Sequence, residues 1–358
     1  MIQHHKGRGS SFNTPNRFQK HHLEPIAIDV EYDDDAPTLP TVFYKDTSRT
    51  ILAKNDSPDI PFTYSINPYR GCEHGCIYCY ARPSHEYLGF SAGLDFESKI
   101  MVKMDAPRLL AHTLAKKGWK RQMVAFSGNT DCYQPVERKL QLTRQCLEVF
   151  LRSRNPIGIV TKNALVVRDI DVLREMAKLD LAHVMISITS LDADLIRIME
   201  PRTSTPANRL RAIEQLAKNG IPVGVNASPI IPGLTDEEIP SILKAASEHG
   251  ATTAGCTLVR LPGPVEPLFL DWLKRELPNR AGKIINRIKD TRQGELNDSR
   301  FGTRMGGEGE MARAINTLFE IHAQKYNLAT QWSCLPDVTA PGNHEHQMDL
   351  FNTRSLIS

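Results

Sequence analysis

Between residues 59 and 260 the sequence alternates, six times over, a short β-rich run with an amphipathic helical stretch. Nothing else in the chain restricts its fold as much. Strands are predicted over Thr63–Asn67, Met123–Ser127, Ile157–Val160, Val184–Ile188, Val223–Asn226 and Thr253–Val259. Between them apolar residues recur at helical spacing, as in Val136, Leu140, Leu147 and Phe150, or Leu210, Ile213 and Leu216. Gly220 and Gly250 stand where helices end and a left-handed residue is wanted, and Thr235-Asp-Glu-Glu238 reads as a capping box. Strands joined through helices run parallel, with the helices outside. Right-handed crossovers curl six such units into an α/β fold, a partial (β/α)6 TIM-like barrel. Its ligands belong at the carboxyl ends of the strands.

The first of those ends leads into Tyr64-Ser-Ile-Asn-Pro-Tyr-Arg-Gly-Cys-Glu-His-Gly-Cys-Ile-Tyr-Cys-Tyr80. Cys72, Cys76 and Cys79 follow the spacing C-x3-C-x2-C, and Gly71, Gly75, Glu73 and His74 around them make a poor apolar core. The stretch therefore reads as a loop wrapped around a metal centre. Thiolate ligates both iron–sulfur clusters and zinc. A structural zinc site wants four protein ligands, which here requires His74 or His85 beside the three cysteines. A [4Fe–4S] cluster held by three cysteines instead leaves one iron open to a small molecule, and with no fourth cysteine nearby this reading is preferred. Seven cysteines, an odd number with three clustered, argue for a reducing cytoplasm rather than a disulfide framework. Cys146, on a helical apolar face, and Cys256, in a strand, are expected in the core.

With Tyr78 at the aromatic position, the loop resembles the C-x3-C-x-aromatic-C signature of the radical S-adenosylmethionine (SAM) superfamily. Within it, residues 60 to 260 resemble spore photoproduct lyase and its bacterial relatives. The resemblance implies a radical enzyme in which a [4Fe–4S] cluster on Cys72, Cys76 and Cys79 cleaves SAM to a 5′-deoxyadenosyl radical, with an electron donor such as flavodoxin or ferredoxin. It also assigns residues. Tyr80, directly after the last cluster cysteine, lies near the radical path. Val160-Thr-Lys162 resembles the family's strand-end T-K, whose lysine meets the SAM carboxylate. Ile186-Ser-Ile-Thr189 resembles the segment that contacts the ribose, which makes Ser187 and Thr189 candidates. Asn129, in the loop after the second strand, joins Tyr78 and these residues as cofactor-binding. Asp131-x-Tyr-Gln-Pro-x-Glu137 matches the relatives rather than the lyase. The lyase's hydrogen-donating cysteine falls at about Gly128 here, so Cys132 is the substitute candidate, against a packing role. Arg202, in the loop Glu200-Pro-Arg-Thr203, is a candidate for an anionic substrate.

Three functions are compatible with these residues: radical chemistry on nucleic acid or a nucleotide-like substrate, DNA repair included; radical modification of a peptide or small molecule; and non-catalytic iron–sulfur binding. Peptide modifiers often carry extra cluster cysteines near the C-terminus, where only Cys334 stands. The net charge of +3 does not by itself imply nucleic acid, and no apolar run approaches a transmembrane length.

Outside the barrel, residues 1–58 read as an extended or disordered arm, with Gly7-Arg-Gly-Ser-Ser and an acidic run at 31–35, from which Leu39–Tyr44 drapes over the following domain. Residues 261–340 read as a helical extension, with helices over 267–277, 280–292 and 310–326; the second has a solvated basic face of Arg280, Lys283 and Arg287. Met305-Gly-Gly-Glu-Gly lacks the lysine of a P-loop and reads as a turn. In the polar tail 341–358, Gln347-Met-Asp-Leu-Phe351 resembles the Q-L-[SD]-L-F peptide that docks bacterial replication and repair proteins on the sliding clamp. Gln347, Leu350 and Phe351 would be its anchors, unless the tail folds back onto the barrel.

Overall fold

The computed structural model describes residues 5–16, 25–26 and 39–330. The acidic run 31–35, Cys334 and the tail with Gln347, Leu350 and Phe351 lie outside the described residues. In chain order the strands are β1 (Pro25–Ile26), β2 (Val42–Lys45), β3 (Leu52–Lys54), β4 (Tyr64–Ile66), β5 (Tyr69–Arg70), β6 (Lys99–Val102), β7 (Val124–Phe126), β8 (Ile157–Thr161), β9 (Ala182–Ser187), β10 (Val223–Ile230) and β11 (Thr253–Leu258).

The expected parallel sheet is present. Its order is β11-β10-β9-β8-β7-β4-β3, with β4 and β7 to β11 parallel. The helical stretches between these strands cover it, and Phe126, Phe150, Ile159, Leu173, Ile186, Ile213 and Leu243 belong to one continuous core. All six residues of β9 are buried, as a strand covered on both faces requires. The register sets Ile66 beside Phe126 and Phe126 beside Ile159, then Thr161 beside Ile186 and Ser187 beside Asn226. The loops after the strands therefore emerge along one edge. The barrel stays open, and β3 pairs antiparallel with β4 along one side.

A second sheet, β1-β2-β6-β5, was not apparent in the sequence. The patch expected to drape over the domain pairs as β2 with β6, Val42 opposite Lys99 and Lys45 opposite Val102. Phe43, Tyr69, Ile100, Val102, Val136 and Leu142 form its small core. The run Lys99–Val102 is hard to read because it follows the helix Leu94–Ser98 with no turn residue between them.

The helical extension begins with Val265–Glu276 and Pro278–Asp290, and it packs on the cysteine loop. Phe269, Trp272, Ile284 and Ile288 share a core with Cys76, Ile77, Tyr78, Met199 and Ile231. Trp272 Nε1 donates to the Ile198 carbonyl at 3.0 Å. The basic face is solvated as expected, with Arg280, Lys283 and Arg287 all exposed, though Arg280 also donates to the Gly233 carbonyl at 3.2 Å and the Arg287 stem lies against Gly233. The turn at Met305–Gly309 precedes the helix Gly309–Lys325, and the Met305 carbonyl accepts the Leu258 N–H at 2.9 Å. Thr235–Glu238 is not a capping box. Glu238 reaches back to the Ser190 hydroxyl at 2.6 Å and the Leu191 N–H at 2.7 Å, while Thr235 Oγ1 accepts the Ile231 N–H at 2.9 Å. A 3-10 turn over Asp236–Glu238, in which the Glu238 N–H donates to the Thr235 carbonyl at 3.2 Å, puts Glu238 at the cap position of the next helix, with its side chain turned to Ser190 and Leu191. Among the described residues no helix is long and apolar enough to cross a membrane.

Candidate active site

The cysteine loop sits at the carboxyl edge of the parallel sheet. Gly71 and Gly75 take left-handed backbone, with φ of 78° and 68°, which lets the chain double back between the thiols. The Cys72 N–H donates to the Phe96 carbonyl at 2.8 Å, and the Ile77 N–H to the Met199 carbonyl at 3.1 Å. Cys72 and Cys76 are buried and Cys79 is half-buried. Burial is the main cause that pushes all three thiols up; the Asp131 charge adds to it at Cys72 and Glu200 at Cys76. Arg82 and Lys162 pull Cys79 the other way, and Lys162 does so at Cys76. Metal binding must displace these protons, and the cations favour the thiolates once it does.

The donor set fits an iron–sulfur cluster better than zinc. His74 is held on both ring nitrogens, Nδ1 3.4 Å from Asp131 Oδ2 and Nε2 3.1 Å from Asn163 Nδ2. His85 stacks on Phe90 with ring centroids 5.1 Å apart and meets the edge of Phe96, and burial lowers its pKa to about 4. Among the described residues no three Cys, His, Asp or Glu side chains gather tightly enough to hold a single metal ion. His74 is already committed to Asp131 and Asn163, while His85 is packed against Phe90 and Phe96 with neither ring nitrogen hydrogen-bonded.

The stretch Asp131–Glu137 braces this loop and its surroundings. Asp131 accepts from Thr161 Oγ1 and from the Lys162 N–H, both at 2.8 Å, which ties the end of β8 to His74. Gln134 Oε1 accepts the Glu73 N–H at 2.9 Å, and its Nε2 donates to the Gly71 carbonyl at 3.2 Å. The Tyr133 hydroxyl donates to Asp169 at 3.1 Å, and the Tyr69 hydroxyl to Glu137. Glu73 in turn accepts the Val136 N–H at 2.8 Å.

Lys162, Thr189 and Tyr78, all expected to bind the cofactor, come together around Glu200. Lys162 Nζ lies 2.9 Å from the Ser228 carbonyl, 3.4 Å from Thr189 Oγ1, 3.8 Å from Glu200 Oε1 and 5.8 Å from the centre of the Tyr78 ring. Thr189 Oγ1 donates to Glu200 at 2.6 Å, and the Tyr78 hydroxyl also donates to it. Arg209 binds the other carboxylate oxygen and donates to the Ser187 carbonyl at 3.0 Å. The result is a cation and hydroxyls at a strand edge, anchored by a buried carboxylate.

The other expected residues are placed as follows. Ser187 ends β9 and is buried. Asn129 donates to Ser84 Oγ at 3.2 Å, just beyond the cysteine loop. Tyr80 is 51% exposed, with its hydroxyl on the Gly128 carbonyl at 2.8 Å. Arg202 does not stand open for an anionic substrate: Glu73 holds it at 2.9 Å, and its side chain is nearly buried. Cys132 is not a surface donor. It is fully buried in the main core, and its carbonyl accepts the Thr143 hydroxyl at 2.7 Å. Cys146 is buried and Cys256 only half-buried.

Sequence reasoning missed a strap from the N-terminal arm. The Gly9 and Ser10 N–H groups both donate to Glu97 at 2.9 Å, and Arg8 donates to the Glu97 carbonyl at 2.5 Å. Glu97 also pairs with buried Arg82 at 2.5 Å, whose Nη2 holds the Cys76 carbonyl at 2.8 Å. A Cβ on Gly9 would stand 1.9 Å from the Gly75 carbonyl oxygen. Gly9→Val is thus expected to cost about 1–3 kcal/mol by overpacking and to speed loss of the iron–sulfur absorption to a chelator. Wild-type chelation kinetics in this variant would show that the strap does not support the loop.

A family model described as Radical SAM superfamily matches residues 66–246. An uncharacterised protein of Mycobacterium tuberculosis is 36% identical over 233 residues, 64% of this chain and 67% of that one. An uncharacterised protein of Methanocaldococcus jannaschii is 31% identical over 175 residues, 49% of this chain and 63% of its own length. In fold the chain is similar to spore photoproduct lyase complexed with dinucleoside spore photoproduct, at a TM-score of 0.58 and 15% identity, covering 81% of this chain and 82% of the lyase. A lyase mutant with bound AdoMet and the dinucleoside photoproduct gives the same TM-score at 16% identity, covering 80% of each chain. The family match spans the cysteine loop, the Lys162 strand end and the Glu200 anchor together, and this chain belongs to the radical SAM superfamily.

Proposed function

We propose that this enzyme holds one [4Fe–4S] cluster on Cys72, Cys76 and Cys79, cleaves SAM reductively, and acts on nucleic acid or a nucleotide-like substrate in DNA repair. The observation that carries the reading is the convergence of Lys162, Thr189, Tyr78 and Glu200 at the sheet edge that bears the three cysteines. When bound, the cluster and SAM supply one-electron reduction and hydrogen-atom abstraction, chemistry no side chain offers. Lys162 provides a cation for the SAM carboxylate. Ser187 and Thr189 provide hydroxyls for the ribose. The apolar wall of Phe269, Trp272 and Ile284 behind the loop helps exclude water from the site. With Cys132 buried, hydrogen return by a lyase-like cysteine donor is not part of the reading.

The nucleic-acid preference draws on the fold shared with spore photoproduct lyase and on the clamp-like tail peptide with Gln347, Leu350 and Phe351. A cytoplasmic flavodoxin or ferredoxin is the proposed electron source. The test is anaerobic reconstitution followed by dithionite and SAM; absence of 5′-deoxyadenosine would remove the enzymatic reading. Deuterium transfer from labelled, damaged oligonucleotides into 5′-deoxyadenosine then tests the substrate class. Lys162→Ala is expected to weaken SAM binding about tenfold or more, the value of a charge-assisted hydrogen bond, and Ser187→Ala to weaken it less. Equilibrium dialysis with labelled SAM measures both, and unchanged affinity in the two variants would make them structural.

A further inference from the structure

Arg260 lies two residues beyond the end of β11, on the carboxyl edge of the sheet that carries the cysteine loop. Its Nε is buried without a hydrogen-bond partner, and its guanidinium makes only a long contact, Nη1 to Met305 Sδ at 3.8 Å. Among the described residues no carboxylate pairs with it. A guanidinium keeps its proton in proteins, and Arg260, half-buried with its Nε buried and unpartnered, gains no ion pair for what it loses in hydration. Such a group is not there to stabilise the fold.

The groups around it are already committed. Arg304 is bound to Asp59 and Ser57. Arg292 donates to the carbonyls of Val259 at 2.9 Å and Arg304 at 2.8 Å. Asp298 is held by Arg300 at 2.9 Å and Thr303 at 2.8 Å. Burial, then the Arg304 charge, hold Arg260 below its usual range, and Tyr80, Asp59 and Asp298 act in the opposite direction. Tyr80, 51% exposed, follows Cys79 directly in the cysteine loop at the same sheet edge. Phe301, 59% exposed, lies against Arg304 with 4.7 Å from guanidinium carbon to ring centre. One guanidinium without an ion pair thus touches Met305, next in the chain to the Arg304 that carries the exposed Phe301 ring, and shares the sheet edge with the exposed Tyr80.

We propose that Arg260 receives a phosphate group of the substrate, while Tyr80 and Phe301 offer ring faces to the attached base. Guanidinium matches phosphate in a two-point fork, and bases of any sequence stack on aromatic rings. This rests on the nucleic-acid reading above and deepens it by naming the group that is held. No bond is made or broken at Arg260; its role is binding.

The experiment uses reconstituted holoenzyme and a fluorescein-labelled short oligothymidylate, with binding followed by anisotropy at two salt concentrations. Arg260→Gln should weaken binding about tenfold or more and flatten its salt dependence. Arg260→Lys should fall between, because it keeps the charge and loses the fork. Pyrophosphate should compete for the wild type. SAM affinity should stay within about twofold of wild type, far less than the loss from one charged hydrogen bond. The unfolding temperature of Arg260→Gln should not fall, because Arg260 is half-buried and has no ion pair for the substitution to break. Equal oligonucleotide binding by wild type and Arg260→Gln overturns the proposal, as does absence of oligonucleotide and pyrophosphate binding by the wild type. An equal loss of SAM affinity would assign Arg260 to the cofactor, and a lowered unfolding temperature would assign it to the fold; either also overturns it. Wild-type holoenzyme that fails to bind SAM would instead refute the proposed SAM chemistry, a result distinct from any of these.

Discussion

Cys76→Ala is expected to abolish the visible absorption of the reconstituted protein and all formation of 5′-deoxyadenosine, while the chain remains folded. The two effects separate because the thiol and the fold draw on different contacts. The parallel sheet has its own core, in which Phe126, Phe150, Ile186 and Ile213 take part and Cys76 does not. Cys76 belongs to the smaller cluster with Trp272 and Ile284, so its loss should cost about 1 kcal/mol, as for an ordinary point substitution. The backbone around it is independently fixed, with Arg82 on the Cys76 carbonyl and the Ile77 N–H on Met199. Cys72→Ala and Cys79→Ala should behave alike. Iron content, absorbance and thermal unfolding on the same preparations decide the matter. A variant that keeps a SAM-cleaving cluster would show that the ligand set is wrong, and a variant that unfolds would show that the loop supports the sheet.

Local pattern made the barrel legible. Runs such as Ile157-Gly-Ile-Val160 and Val223–Asn226 are apolar enough to be strands buried on both faces, and the helices between them repeat at the right spacing. The cysteine loop was legible for a different reason, since thiols at that spacing have few other uses. What stayed hidden depends on contacts far apart in the chain. Gly7-Arg-Gly-Ser-Ser has the composition of a disordered arm, yet Gly9 must lack a side chain because it lies on Gly75, some sixty-six residues away. Glu97 sits in a five-residue helix with nothing local to mark it, and its partners Arg8 and Arg82 lie at two separate places earlier in the chain. Arg202 illustrates the converse error. Read alone it is a free cation, whereas the fold sets it against Glu73. In the stretch Asp131–Glu137 the polar residues mark a site, but the structure gives them to the bracing of the cysteine loop, and Cys132 to packing.

Glu200→Ala is expected to cost about 3–5 kcal/mol, the penalty for breaking a buried ion pair from one side. Glu200 and Arg209 are both essentially inaccessible to solvent. Burial acts to raise the Glu200 carboxyl, yet the charges of Arg209 and Lys162, with the hydroxyls of Thr189 and Tyr78, hold it at about 2. It is therefore ionised throughout the neutral range, and deleting it strands the Arg209 charge. Removing both charges should recover most of the loss, so Glu200→Met with Arg209→Met should unfold well above Glu200→Ala. Stability and function should nevertheless separate. The double variant restores apolar packing but returns no acceptor to the Tyr78 and Thr189 hydroxyls, and no anion to Lys162. Tyr78 is part of the cysteine loop, so the iron–sulfur absorption of the double variant should be lost to a chelator faster than in wild type. Thermal unfolding and chelation rates measured side by side test both halves. Single and double variants of equal stability would show that Arg209 does not need the carboxylate, and wild-type cluster retention in the double variant would show that Glu200 does not position the site.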